Sequence, residues 1–302
     1  MKGLLLPLFL GLAFPVGAQT PKTTLWRISG ADTLGASYLF GTVHSRDDRA
    51  YQWGDSVAPA LQRVQLVAGE LDLAADQRQM MGMLSQVRIP NGGTLKELYK
   101  KKEWKRVEAG LRTALGPMHV LAHTMKPYFV LLLLAGTEVA GTHERVLDDE
   151  LQRAARERGQ EVLGLETMLE QLSAMDVLPL DRQAQLLLQQ IDETGNDEEL
   201  EDLLDAYAAQ DLDLLMATME RSTSMPPEMN TSLIVDRNAR MAMRMDSIMH
   251  AGTTAFFAVG AAHLPGDMGL IALLRERGYS VVPVISAFTK PEAPQVEQEE
   301  DK

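Results

Sequence analysis

Apolar positions along this chain follow two different spacings. Short apolar runs rich in branched and aromatic residues predict strands at Leu25–Ser29, Tyr38–Thr42, Leu66–Leu71, Glu161–Leu165, Thr254–Val259 and Ser280–Val284. A turn at Gly30-Ala31-Asp32 joins the first two, and a helix over Ser56–Arg63 precedes the third. Elsewhere apolar residues recur near every 3.6 positions, over Thr94–Leu115, Pro127–Glu138, Val146–Arg158, Asp181–Gln190, Asp197–Ala209 and Ile234–His250. Leu270–Arg277 reads as a helix stopped by Gly278, set between the last two strands. That β-α-β spacing suits a parallel crossover. The expected fold is α/β, a central mixed or mostly parallel sheet with a large helical middle section, in a single domain over residues 19–289.

The first eighteen residues carry a different pattern. Lys2 precedes an apolar stretch, Gly3 to Val16, and Val16-Gly17-Ala18 offers small residues before Gln19. This is the pattern of a signal peptide, and it predicts a periplasmic or secreted protein. No cysteine follows the cleavage point, which argues against a lipid anchor. No later apolar run reaches membrane length, and Val130–Ala135 is expected to be the middle of a buried helix. The tail, residues 290–302, is acidic and rich in Pro, Gln and Glu, a composition that predicts disorder.

Composition narrows the chemistry. None of the 302 residues is cysteine, which excludes disulfides, thiolate ligands and a cysteine nucleophile. With 45% hydrophobic residues the chain can bury a core unaided. The formal charge of −13 argues against nucleic acid and anionic lipid as partners, and is compatible with a cationic ligand or a metal ion.

Two segments share one device. Tyr38-Leu39-Phe40-Gly41-Thr42-Val43-His44 and Ala255-Phe256-Phe257-Ala258-Val259-Gly260-Ala261-Ala262-His263 both run from an apolar strand through glycine to histidine, in a chain with six histidines. In open α/β sheets, ligands sit beyond the carboxyl ends of strands. His44 and His263 are therefore candidate metal ligands, although either alone is equally read as a polar residue at a strand end. Glu70, at the exit of its strand, and Glu166, just past Gly164, supply the carboxylates an imidazole site needs. Such a donor set suits Zn, Mn or Co, ions that acidify a bound water. Arg237, at a helix start, is placed to stabilise an oxyanion, or else forms a surface ion pair. His119 and His123 are four apart, but the His-Glu-x-x-His pattern is absent, so they read as ordinary helical residues. Many of the seventeen methionines fall between Met216 and Met249 and are read as core filling rather than as a copper motif. Nucleophile-elbow, P-loop and dinucleotide fingerprints are missing.

Taken as a set, these segments resemble the TraB/GumN family, which is related to the Tiki metalloproteases acting on Wnt proteins. The resemblance rests on Leu25-Trp26-Arg27-Ile28, Gly41-Thr42-Val43-His44, Glu70, Leu163-Gly164-Leu165-Glu166-Thr167 with Gln171, Asp236-Arg237-Asn238, and Gly260-Ala261-Ala262-His263-Leu264-Pro265-Gly266 followed by Gly269-Leu270 and Gly278-Tyr279. It implies a metal-dependent, peptidase-like hydrolase acting on a peptide or protein. His44, His263 and Glu70 would hold the metal, and Glu70, Arg237 and Glu166 would serve catalysis. A non-catalytic module that sequesters a peptide signal or a haem-like ligand is the alternative.

Overall fold

In the computed structural model, residues 21–286 are described apart from 31–32, 76–85, 138–140, 194–197 and 222–228. Within them the predicted apolar runs become six strands: β1 (Leu25–Ser29), β2 (Ser37–Thr42), β3 (Leu66–Gly69), β4 (Glu161–Gly164), β5 (Ala255–Gly260) and β6 (Ser280–Pro283). They form one mixed sheet in the order β4-β3-β5-β2-β1-β6. The four strands β2 to β5 run parallel, while β1 is antiparallel to both its neighbours. β2 and β5 lie at the centre and are buried on both faces, which is why each reads as a continuous apolar run. Phe40 and Phe256 pack there with ring centres 5.7 Å apart.

The helices are α1 (Val57–Gln62), α2 (Lys101–Leu115), α3 (His119–Ala122), α4 (Pro127–Thr137), α5 (Leu147–Glu157), α6 (Met168–Met175), α7 (Leu180–Glu193), α8 (Glu198–Ala208), α9 (Leu212–Arg221), α10 (Asp236–His250) and α11 (Leu270–Glu276). The main core joins the sheet to α5, α8, α9, α10 and α11. On α10, Met241, Met245 and Met249 recur every fourth residue and are buried, while Met243 between them is exposed. Thioethers therefore fill the sheet core on this helix. A second, smaller core lies among α2, α3, α4 and α7, built on Leu95, Val107, Leu111, Ala122, Val130, Leu134 and Leu187.

Several boundaries differ from the pattern. Thr94–Leu115 is not one helix: a 3-10 turn covers Leu95–Leu98, Tyr99 is extended, and α2 starts at Lys101. Two carboxylates explain the break. Glu97 accepts from the Thr94 N–H at 3.2 Å and Glu103 from the Lys100 N–H at 2.8 Å, so the segment carries two N-terminal caps. Val130–Ala135 is not wholly buried, since Leu132 and Leu133 face out of α4. Among the described residues no helix is long and apolar enough to cross a membrane. Strands β5 and β6 flank α11 and run the same way, but β2 and β1 lie between them. Gly278 takes φ 90° and ends α11 with the paired bonds Gly278 N–H to Arg275 and Tyr279 N–H to Leu274, as its position predicted. Residues 1–18, 290–302, Ala31, Asp32, Glu138 and Asp197 lie outside the described residues.

Candidate functional site at the carboxyl edge of the sheet

Because β2, β5, β3 and β4 are parallel, their carboxyl ends open on one edge. Thr42 pairs with Gly260, and Gly69 pairs with both Ala258 and Gly164. The β3–β4 ladder continues beyond the strands, with Leu165 N–H donating to the Gly69 carbonyl and Glu166 N–H to the Glu70 carbonyl, both at 2.8 Å. This continuation sets Glu70 and Glu166 side by side. Glycine eases the crowding where the turns meet: a Cβ on Gly260 would stand 3.1 Å from Glu70 Oε1, and one on Gly41 3.0 Å from the Ala261 backbone, both tighter than ordinary contact.

Glu70 is the hub. Its Oε1 accepts from the Gly260 N–H at 2.7 Å, and its Oε2 accepts from Arg237 Nη2 at 2.5 Å and Gln171 Nε2 at 3.2 Å. Arg237 also gives Nε to Glu166 Oε2 at 2.8 Å and Nη1 to the Leu233 carbonyl at 3.2 Å. That carbonyl belongs to a π-helical turn, Thr231–Val235, immediately before α10. Such turns recur at functional sites. Arg240 donates to Glu166 Oε1 at 3.2 Å, so the buried Glu166 lies between two guanidiniums. Burial alone would raise the pKa of Glu70, but the facing charges and the Gly260 amide outweigh it and hold the carboxyl down to about 2. A charge on His263 would be the largest of these lowering influences, but burial pushes that imidazole towards neutrality, and with His263 neutral Arg237 and the amide still keep the carboxyl below its ordinary value.

His263 is buried, and its tautomer is set by its neighbour. Asn238 Nδ2 donates to the Met268 carbonyl at 2.7 Å, which orients the amide and leaves Oδ1 to accept from His263 Nδ1, also at 2.7 Å. His263 Nε2 then carries a lone pair, and it faces Glu70 Oε1 at 3.6 Å. His44 differs: it is exposed at the rim of a cavity of about 240 Å³ lined by Thr42, Glu70, Asp148, Gln152, Gln171 and Gly260. His44 Nδ1 lies 3.4 Å from Asp148 Oδ2, and that carboxylate raises its pKa above the ordinary imidazole value although desolvation opposes it. Thr42 Oγ1 donates to Asp148 Oδ1 at 2.6 Å, whereas Oδ2 is buried and accepts no hydrogen bond.

The structure thus places His44 and Glu70 on one cavity, with His263, Arg237 and Glu166 packed around Glu70. Among the described residues of this edge, no three His, Asp or Glu ligand atoms lie within 4.8 Å of one another. Among the described residues that spacing occurs only at Glu108, His119 and His123. Asp148 was missed in the sequence because an acid in the first turn of a helix has an ordinary reading. Gln152 was missed too; it is buried and holds the loop after β3 through the Leu71 carbonyl and the Leu73 N–H.

The donor set fits a divalent cation. The lone-pair nitrogen of His263 faces an ionised carboxylate, and His44, backed by Asp148, lies on the same cavity, an imidazole and carboxylate set of the kind such ions take.

The fold and site together define an α/β protein whose polar residues converge beyond the carboxyl ends of a mixed sheet. The chain belongs to the TraB/PrgY/gumN family, whose model matches residues 24–283. It is similar to Metalloprotease TIKI2 of Danio rerio, 25% identical over 95% of this chain and 67% of that protein. It is also similar to the Metalloprotease TIKI homolog of Nematostella vectensis, 24% identical over 85% of this chain and 65% of that protein. Metalloprotease TIKI2 of Xenopus tropicalis matches at 24% identity over 84% of the chain and 59% of that protein. The chain therefore spans about two thirds or less of the length of these relatives. No solved structure matches it.

Proposed function

We propose that this protein is a metal-dependent hydrolase that cleaves an amide bond in a peptide or protein outside the cytoplasm. The observation that carries the reading is the meeting of His263 Nε2, its lone pair fixed by Asn238, with an ionised Glu70. The chain's similarity to proteins named metalloproteases supports the reaction class. The signal-like pattern from Lys2 to Ala18 supports the compartment, which fractionation of cells expressing the full chain tests directly.

In this reading His263 and Glu70 are ligands of one divalent ion, Mn, Co or Zn, and His44 completes the set from the rim. When bound, the ion supplies Lewis acidity, which lowers the pKa of water and polarises a carbonyl. Glu70 is favoured as ligand over general base, because a carboxyl held near 2 and already accepting three hydrogen bonds takes up a proton poorly. Arg237 serves as a positioning residue: all three of its nitrogens are engaged, and they fix Glu70 against Glu166. Asp148 orients His44 across the cavity.

Purified protein incubated with a peptide library and Mn, Co or Zn is expected to give chelator-sensitive products by mass spectrometry. His44→Ala and His263→Ala are expected to abolish them and to reduce metal content while leaving the circular dichroism unchanged. Saturable peptide binding without products, or unchanged metal content in both variants, would remove the proposal.

A further inference from the structure

Away from the sheet, Glu108 on α2 and the histidines around α3 form a separate constellation. Its ligand atoms, one from each residue, all lie within 4.8 Å of one another. His119 Nδ1 lies 2.7 Å from the Gly116 carbonyl, an acceptor, so in the neutral ring Nδ1 carries the proton and Nε2 the lone pair. That lone pair faces Glu108 Oε1 at 3.3 Å, an acceptor opposite an acceptor. A tetrahedral ion with ligands at about 2.0–2.1 Å holds adjacent ligand atoms about 3.4 Å apart. The His119–Glu108 separation already has that value. His123 Nε2 lies 2.7 Å from Glu108 Oε2, a contact in which an ion replaces the shared proton.

The surroundings suit an ion as well. A histidine ring held by a backbone carbonyl through its other nitrogen is the usual support of a metal ligand. The edge of the His123 ring meets Trp104, with centroids 5.2 Å apart, which limits its rotation. All three side chains are partly exposed, so water can fill the remaining coordination positions. Arg112 Nη2 donates to Glu108 Oε1 at 3.1 Å, but its side chain is two-thirds exposed and competes weakly.

We propose that Glu108, His119 and His123 form a second divalent-cation site, for a borderline ion such as zinc or cobalt, which fastens the turn at Gly116–His123 onto α2. Two imidazoles with one carboxylate select such ions over magnesium or calcium. The ion cross-links α2 to the short helix α3, and the Leu95 N–H that donates to the His123 carbonyl at 2.8 Å is held with them.

The test loads the full chain with Co²⁺, removes free ion by gel filtration, and counts metal per chain. The variant His119→Ala/His123→Ala is expected to hold one equivalent fewer than wild type and to lose part of the visible Co²⁺ absorption. Proteolysis near Met118–Leu121 is expected to slow on Co²⁺ addition in wild type and not in the variant. Glu108→Gln, nearly isosteric, serves as a second variant should the double alanine fail to fold, and is likewise expected to lose the equivalent. Unchanged stoichiometry in a folded variant overturns the proposal. The site shares no residue with the carboxyl-edge cluster, so this result does not depend on whether His44→Ala or His263→Ala changes metal content.

Discussion

At the carboxyl edge, Glu70 is gripped by Gln171, Arg237 and Gly260, which lie 101, 167 and 190 residues further along the chain. In the helical region, Glu108 is gripped by Arg112 and His123, only 4 and 15 residues away. Both carboxylates have pKa values below the ordinary one, and both face imidazoles. The first is assembled by the whole sheet and set among buried partners, while the second is local and partly wet. A cluster of the first kind couples ligand geometry to global stability. One of the second kind can change with little consequence for the fold.

That contrast can be broken in four ways. Arg237→Ala leaves Glu70 and Glu166 facing each other without their common guanidinium, and should cost about 3–5 kcal/mol in urea unfolding. Next comes acid. The folded-state value of Glu70, about 2, lies below its ordinary 4.5, so its contribution is present above pH 4.5 and is lost as pH falls towards 2. Glu70→Gln should flatten the fall of the unfolding free energy in that window, by up to about 3 kcal/mol; an unchanged slope would mean Glu70 does not carry it. Asn238→Ala frees the His263 ring and should weaken metal binding about 10–100-fold by calorimetry. The smallest effect belongs to Arg112→Ala, which should alter stability by no more than about 0.5 kcal/mol. A loss comparable to that of Arg237→Ala would erase the distinction between the two clusters.

Much of the edge was legible in the linear pattern. Strand, glycine and histidine follow one another at both β2 and β5, and parallel pairing brings such ends together. Glu70 and Glu166 could be named because each follows directly on a short apolar run. What could not be read was side-chain partnership across elements. Asp148 sits in an acidic first turn whose ordinary role hid its contact with His44. The pairing of Glu108 with His119 and His123 depends on how α3 folds back on α2, which no periodicity encodes. The break at Tyr99 was hidden because the apolar spacing continues through it, while the two capping glutamates that cause it are common helix residues.

The placement of β5 has a consequence for biosynthesis. It is fifth in the chain yet third in the sheet, inserted between β3 and β2. Until residues 255–260 leave the ribosome, β2 and β3 each present an unpaired inner edge, and Glu70 lacks the Gly260 amide. A nascent chain of this protein should therefore remain open to chaperones and proteases until Gly260 has emerged, and only then can it close its sheet and its polar cluster.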